Sequence, residues 1–147
     1  MSNDTALTAA ELSAWAGFLR THAELTRALD AELVEAHDLP LSSYEVLLRL
    51  ARAPQGSLRM SDLAESVLLS RSGLTRLVDR LAKAGLIERR ECPTDQRGIL
   101  AVITEDGRRV YREAGRTHIE GVRRRFLAEL SDDEQLLLAE VWERLAS

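Results

Sequence analysis

A short basic segment stands out in a chain that is acidic overall. Between Arg71 and Arg90 the sequence has six cations and two acids, whereas the whole 147-residue chain has a formal net charge of −4 at pH 7. Arginine and lysine bind phosphates, and an arginine can also donate two hydrogen bonds to a guanine edge. Because local charge makes a nucleic-acid footprint, the segment predicts a DNA-binding surface. The alternative is an ordinary solvated helix face.

The basic segment begins with a helix whose two faces differ. Ser70 is a suitable N-cap, and Gly85 occupies the position where a left-handed residue would close the helix. Leu74, Leu77 and Leu81 recur at spacings of three and four and predict the buried face. The outer face then carries the candidate DNA-contacting residues, which are Ser70, Arg71, Ser72, Thr75, Arg76 and Arg80. An α-helix fits the major groove, where such side chains reach bases and phosphates.

The neighbouring elements are typical of a winged helix-turn-helix. A short helix capped by Ser61 precedes the basic helix across a tight turn. Two runs rich in β-branched residues, 86–91 and 98–103, follow it and predict a hairpin with the six-residue loop 92–97. That loop contains Pro93 and one arginine, which suits a probe of a narrow minor groove. The alternative is a solvated hairpin tip.

Amphipathic helices flank this region on both sides. The pattern predicts one helix over 9–37, ended by the residues before Pro40, and a capping box at Ser42 predicts a second over about 43–53. Thr104 caps a fifth helix, and a capping box at Ser131 begins a sixth.

The first of these helices is long for a small winged domain. Almost thirty residues reach about 43 Å, more than one such core can cover. A second copy of the chain is the simplest source of further apolar surface, and twofold symmetry would match a palindromic operator. The alternative is that the outer helices fold back on their own domain.

The stretch LSRSGLTRLVDRLAKAGLIERR, followed by TDQR and ITEDGR, resembles the MarR (multiple antibiotic resistance regulator) family of bacterial transcription factors. The resemblance implies a mainly α fold with a small β-hairpin wing. It implies one domain, 1–147, with a winged helix-turn-helix lobe at 42–103 and dimerisation helices at 9–38 and 105–147. It also implies a homodimeric repressor that leaves double-stranded DNA when a small, often phenolic, effector binds.

The same resemblance assigns roles at the wing tip. Asp95 matches an aspartate that steadies an arginine in the minor groove, and Arg97 matches that arginine. Gln96 stands where the family often has a second arginine.

The aromatic part of the first helix is a candidate effector site. Trp15, Phe18 and His22 lie on one stripe and could hold an aromatic or carboxylate effector between the dimer helices and the DNA-binding lobe. The alternative is that His22 is a core residue. His22, His37 and His118 lack the spacing of metal ligands, so we predict no metal and no cofactor.

The remaining features favour a DNA-binding regulator of the cytoplasm. The lone Cys92 fits a reducing compartment; it could sense oxidants beside its arginines, although a lone wing cysteine is more often inert. The N-terminus does not read as a secretory signal, and no apolar stretch reaches the length of a membrane span. Phosphate loops and nucleophile motifs are missing, so the chain is not predicted to be an enzyme. The rival function is a winged-helix module that binds protein.

Overall fold

Helices dominate the fold, and a small antiparallel sheet forms the wing. The computed structural model describes residues 6–67 and 69–147, and for residues 95–97 the backbone alone. The helices are α1 (Ala9–His37), α2 (Leu41–Arg52), α3 (Met60–Val67), α4 (Arg71–Lys83), α5 (Glu105–Arg125) and α6 (Asp132–Ala146). The strands are β1 (Ser57–Arg59), β2 (Ile87–Cys92) and β3 (Asp95–Ile103). The predicted class, mainly helical with a hairpin wing, is confirmed.

The sheet has the order β1-β3-β2, with β3 paired antiparallel to both neighbours. The predicted loop 92–97 was too long, because Cys92 pairs with Asp95 and only Pro93 and Thr94 form the turn. Pairing resumes in this polar stretch after a register shift between Glu91, which pairs with Ile99, and Cys92. Ladder hydrogen bonds do not require an apolar face. The sequence pattern also missed β1, whose three residues are too few to establish an alternation.

The start of α2 corrects the predicted capping box. The helix begins at Leu41 rather than at about residue 43, and its N-cap residue, Pro40, forms no side-chain capping hydrogen bond. Asp30 of α1 does so instead, because its Oδ1 accepts a hydrogen bond from the backbone N–H of Leu41 at 2.8 Å. Ser61 likewise is not a cap, since α3 begins at Met60, directly after β1.

The other predicted helix ends are confirmed. Ser70 and Thr104 accept hydrogen bonds from the backbone three residues ahead, and Ser131 does so within a full capping box with Glu134. Gly85 has a φ of 77°, the left-handed conformation expected after α4. These ends follow from local sequence, because each cap bonds within its own first turn.

The hydrophobic core lies beneath the winged lobe and continues into the terminal helices. Leu47 and Leu50 of α2, Leu63 of α3 and the apolar face of α4 form its centre. Leu33 from α1 and Ala114 from α5 are equally buried in it. The terminal helices therefore hold the lobe from one side.

The outer parts of the terminal helices have a different character. From residue 9 to residue 24 of α1 no residue is buried, and α6 contains no buried residue at all. The large apolar side chains exposed on these two helices include Leu12, Trp15, Phe18, Leu19, Leu136, Leu137, Trp142 and Leu145. Within the described part of the chain, no helix combines the length and apolarity needed to cross a bilayer.

Candidate nucleic-acid interface

The outer face of α4 presents the residues that the sequence pattern placed there. Leu74, Leu77, Val78 and Leu81 are at most 4% exposed and anchor the helix to the core. The exposed residues on the other side are Ser70, Arg71, Ser72, Thr75, Arg76 and Arg80. All six predicted contact residues of this helix and its cap are therefore accessible.

The first turn of α4 is closely organised around its cap. The Oγ of Ser70 accepts a hydrogen bond from the N–H of Gly73 at 3.1 Å, and a Cβ at Gly73 would lie only 3.0 Å from that oxygen. Thr75 donates its hydroxyl to the carbonyl of Arg71 at 2.8 Å, which leaves lone pairs able to accept from a base. The positive end of the helix dipole adds to the attraction for phosphate here.

The two acids of the basic segment are paired with arginines of the wing. Asp79 of α4 forms an ion pair with Arg89 of β2, and Glu88 pairs with Arg90 of its own strand. The segment's own acids therefore do not neutralise the cations of α4, which are Arg71, Arg76, Arg80 and Lys83. The exposed face of α4 is therefore positive, although the chain as a whole is acidic.

A groove of about 560 Å³ runs between the start of α3, α4 and the wing. Arg59 and Ser61 line one side, Thr75 and Asp79 another, and Arg89 lies on the wing side. Arg59 also donates from Nη2 to Oγ1 of Thr94 at 3.3 Å, across the sheet. The sequence pattern does not reveal Arg59, because it lies in the short strand β1, and Ser61 resembles a helix cap. Both lie in this groove beside α4.

The wing tip is described only in part. Asp95 and Arg97 belong by their backbone to β3, but their side chains lie outside what the structure describes. Their assigned roles therefore stay a prediction. Cys92 is only 7% exposed, and its Sγ lies 3.4 Å from Oγ1 of Thr94. Burial of this kind does not favour a reactive thiolate.

The predicted effector residues lie on α1 opposite α6. Phe18 and His22 line an apolar groove of about 400 Å³, together with Phe126 and Trp142. The ring of Phe18 lies 5.6 Å from that of Trp142, and Trp15 contacts Phe18 from the side at 6.0 Å. The residues that line the groove come from α1, from α6 and from Phe126 at the end of α5. The groove is therefore formed by terminal helices, whereas the sequence prediction placed it against the DNA-binding lobe.

A cluster of rings joins the lobe to α5. Tyr44 of α2 lies 4.8 Å from His118 and 5.8 Å from Tyr111, measured between ring centroids. The Nδ1 of His118 is buried and has no hydrogen-bond partner among the described residues. Burial lowers the pKa of His118, although the charges of Glu45 and Glu32 oppose this. Burial likewise raises the pKa of the Tyr44 hydroxyl.

Possible metal ligands are scattered over the fold. In residues 6–67 and 69–147 no group of three or more histidine, cysteine, aspartate or glutamate side chains could hold a metal ion.

Comparison with known proteins identifies the arrangement. A family model described as MarR family matches residues 37–98. The crystal structure of Sco3205 in complex with DNA, a MarR family transcriptional regulator from Streptomyces coelicolor, is 32% identical. The alignment covers 99% of this chain and 91% of that one, with a TM-score of 0.91.

Two further relatives agree along most of their length. AbsC, a MarR family transcriptional regulator from Streptomyces coelicolor, is 32% identical over 96% of this chain and 95% of its own, with a TM-score of 0.89. The HTH-type transcriptional repressor MdtR of Bacillus subtilis (strain 168) is 29% identical over 99% of this chain and 88% of its own. These relatives are transcriptional regulators rather than enzymes, as the sequence predicted. The basic helix α4, which is the recognition helix, the wing and these relatives together show that the chain belongs to the MarR family of DNA-binding transcriptional regulators.

Proposed function

We propose that this protein is a homodimeric, sequence-specific repressor that binds a palindromic operator and is released by a small aromatic effector. The observation that carries the proposal is the two-sided α4, with its leucines buried and its arginines exposed. Sco3205 is a relative whose structure is in complex with DNA, and MdtR is a relative named as a repressor. DNA binding would make the cytoplasm the place of action.

The exposed apolar surface of α1 and α6 supports the homodimer. Leu145 is 70% exposed and Leu12 is 55% exposed, and both belong to helices whose outer parts contain no buried residue. Contiguous apolar surface of this kind marks an interface in soluble proteins. A second copy would cover both helices and would place two copies of α4 about 34 Å apart, one helical turn along DNA.

The groove beside Phe18 supports the effector. Its volume of about 400 Å³ lies in the range of small-molecule sites. Aromatic walls and the polar ring of His22 suit a planar acid. An effector here would act by favouring a dimer in which the two recognition helices have the wrong spacing, and operator DNA would weaken effector binding by the same factor.

DNA binding is tested with the duplex found upstream of the coding sequence. Fluorescence anisotropy over a range of salt concentrations should give tight binding and a steep fall of log K with log salt. A random duplex of equal length is the control, and it should bind more weakly. No binding of either duplex at low salt would instead favour the winged-helix module that binds protein.

The homodimer is tested by sedimentation equilibrium. Leu145→Glu should dissociate the dimer, because it places a charge on a face that the partner would cover. Arg144→Glu changes an exposed polar residue in the same turn and serves as the control. A wild-type chain that sediments as a monomer would refute this part of the proposal.

The effector site is tested with His22→Ala. A thermal-shift screen of aromatic acids first identifies a ligand, and DNA affinity is then measured with and without it. We expect near-normal DNA binding and a weaker response to the ligand. If the variant instead loses its fold or its dimer, His22 is a packing residue.

A further inference from the structure

Arg89 of the wing contacts two successive turns of the recognition helix. Its Nη2 forms the ion pair with Oδ1 of Asp79 and also donates to the carbonyl oxygen of Thr75 at 3.4 Å. Thr75 and Asp79 are four residues apart, so they lie one above the other on the helix surface. One planar guanidinium therefore connects β2 to α4 at two points.

Arg89 is well anchored on the wing side. It pairs in register with Ala101 of β3, which is fully buried and pairs in turn with Leu58 of β1. On its inner side α4 is held by leucines. The ion pair adds a second attachment, to the wing, at a position outside the buried leucine face.

We propose that Arg89 is a positioning residue for DNA recognition, which holds α4 and the wing at the separation needed to enter neighbouring grooves together. The inference rests on the proposed DNA-binding function and adds a residue to it. In this role Arg89 acts through the helix rather than on phosphate, with its Nη2 bonded to both Asp79 and Thr75.

The location of Asp79 supports this role. It is the acidic residue of α4, and it lines the groove in which a DNA backbone would lie. A carboxylate there repels phosphates, so its presence weakens DNA binding unless it serves another purpose. Pairing with Arg89 removes most of that repulsion and uses the charge to fix the wing.

A contribution to folding stability explains the ion pair between Arg89 and Asp79 less well than positioning does. The side chains of Arg89 and Asp79 are 34% and 44% exposed, and ion pairs at such exposure contribute little to stability. Breaking the pair should therefore leave the melting temperature nearly unchanged, while it alters the geometry presented to DNA.

The test is Asp79→Asn, for which the two roles of Arg89 predict opposite signs. If Arg89 positions the wing, operator affinity falls by up to roughly fivefold although a negative charge has been removed from the DNA-binding face. If Arg89 contacts phosphate, the same substitution frees it and operator affinity rises. A rise or an unchanged affinity overturns the inference.

Two variants of Arg89 complete the measurement. Arg89→Ala should weaken operator binding without changing the slope of log K against log salt, whereas loss of a phosphate contact would reduce that slope by about 0.9. The double variant with Arg89→Ala and Asp79→Asn should lose no more operator affinity than either single variant, since both substitutions break the same contact.

Arg90→Ala is the matched control. Arg90 is the next residue of β2, and its Nη2 donates to Oε2 of Glu88 in its own strand at 2.8 Å. It carries the same charge but contacts no residue of α4 through that pair, so its loss should change operator affinity much less. An equal loss for Arg89→Ala and Arg90→Ala would refute a specific positioning role. Failure of the wild-type chain to bind any duplex would instead refute the proposed function.

Discussion

Arg125 at the end of α5 donates from its Nε to Oε1 of Glu32 in α1 at 2.6 Å. Arg124 donates to the same oxygen at 2.5 Å, and the Glu32 side chain is only 19% exposed. The carboxylate therefore joins α1 to the last turn of α5, just before the chain turns towards α6.

We predict that Glu32→Gln destabilises the fold at pH 7 by about 1 kcal/mol, a value reduced for the partial exposure of the arginines. Burial alone would raise the pKa of Glu32, but the hydrogen bond from Arg125 and the charge of Arg124 lower it below 4.5. A lowered carboxyl pKa stabilises the fold above the unfolded-state value and ceases to do so as pH falls through the folded-state value.

The difference between wild type and Glu32→Gln should therefore shrink in urea titrations below about pH 4. Glu35→Gln, an exposed position one turn along α1, should be nearly neutral throughout. A difference that stayed constant with pH would exclude the charge of Glu32 as its cause.

A second prediction concerns His118 between the lobe and α5. Its lowered pKa means that the unfolded chain takes up a proton before the folded chain does, so stability should fall as pH decreases from about 6.5. His118→Phe retains a ring against Tyr44 but does not titrate, so its melting temperature should fall less between pH 7 and pH 5.

Two glycines of α5 should respond in opposite ways to alanine. A Cβ at Gly107 would overlap the carbonyl oxygen of Leu86, so Gly107→Ala should cost about 1–3 kcal/mol. A Cβ at Gly115 would lie at an ordinary 3.5 Å from the hydroxyl of Tyr44, so Gly115→Ala should gain up to about 1 kcal/mol from helix propensity. Urea unfolding of both variants is the measurement. Similar effects would show that helix propensity dominates at both sites.

Arg76→Ala should reduce sequence discrimination. An exposed arginine that reads a base edge contributes roughly 1–3 kcal/mol on operator DNA and less on random DNA. Arg109→Ala, at an exposed arginine of α5 that pairs with Asp106, is the control. If operator and random duplexes lost affinity equally, Arg76 would contact phosphate alone.

Arg97→Ala should weaken binding most where the flanks of the operator are rich in A·T pairs. Such flanks have a narrow minor groove whose negative potential attracts an inserted arginine. Competition between duplexes with A·T-rich and G·C-rich flanks measures the effect. A deficit independent of the flanks would contradict the minor-groove role of the wing.

Local signals predicted the recognition helix well, and contacts distant in sequence escaped prediction. The buried leucines and the Ser70 cap of α4 depend on neighbours within two turns, so their spacing in the sequence was sufficient. Asp30 of α1 caps α2 at Leu41, across the turn between the two helices. The nearby Ser42 suggested a later start for α2. The pair of Arg89 and Asp79 requires the hairpin to fold back on the helix. Single-sequence patterns do not encode such distances.

The sharing of Leu33 and Ala114 with the winged lobe has a consequence for folding. Both belong to terminal helices, yet they are fully buried among the residues of α2, α4 and the sheet. A fragment limited to residues 42–103 would leave cavities at both positions and would also lose the cap that Asp30 gives to α2. Lobe and terminal helices should therefore melt in one cooperative transition, and the winged lobe should not survive as an autonomous folding unit.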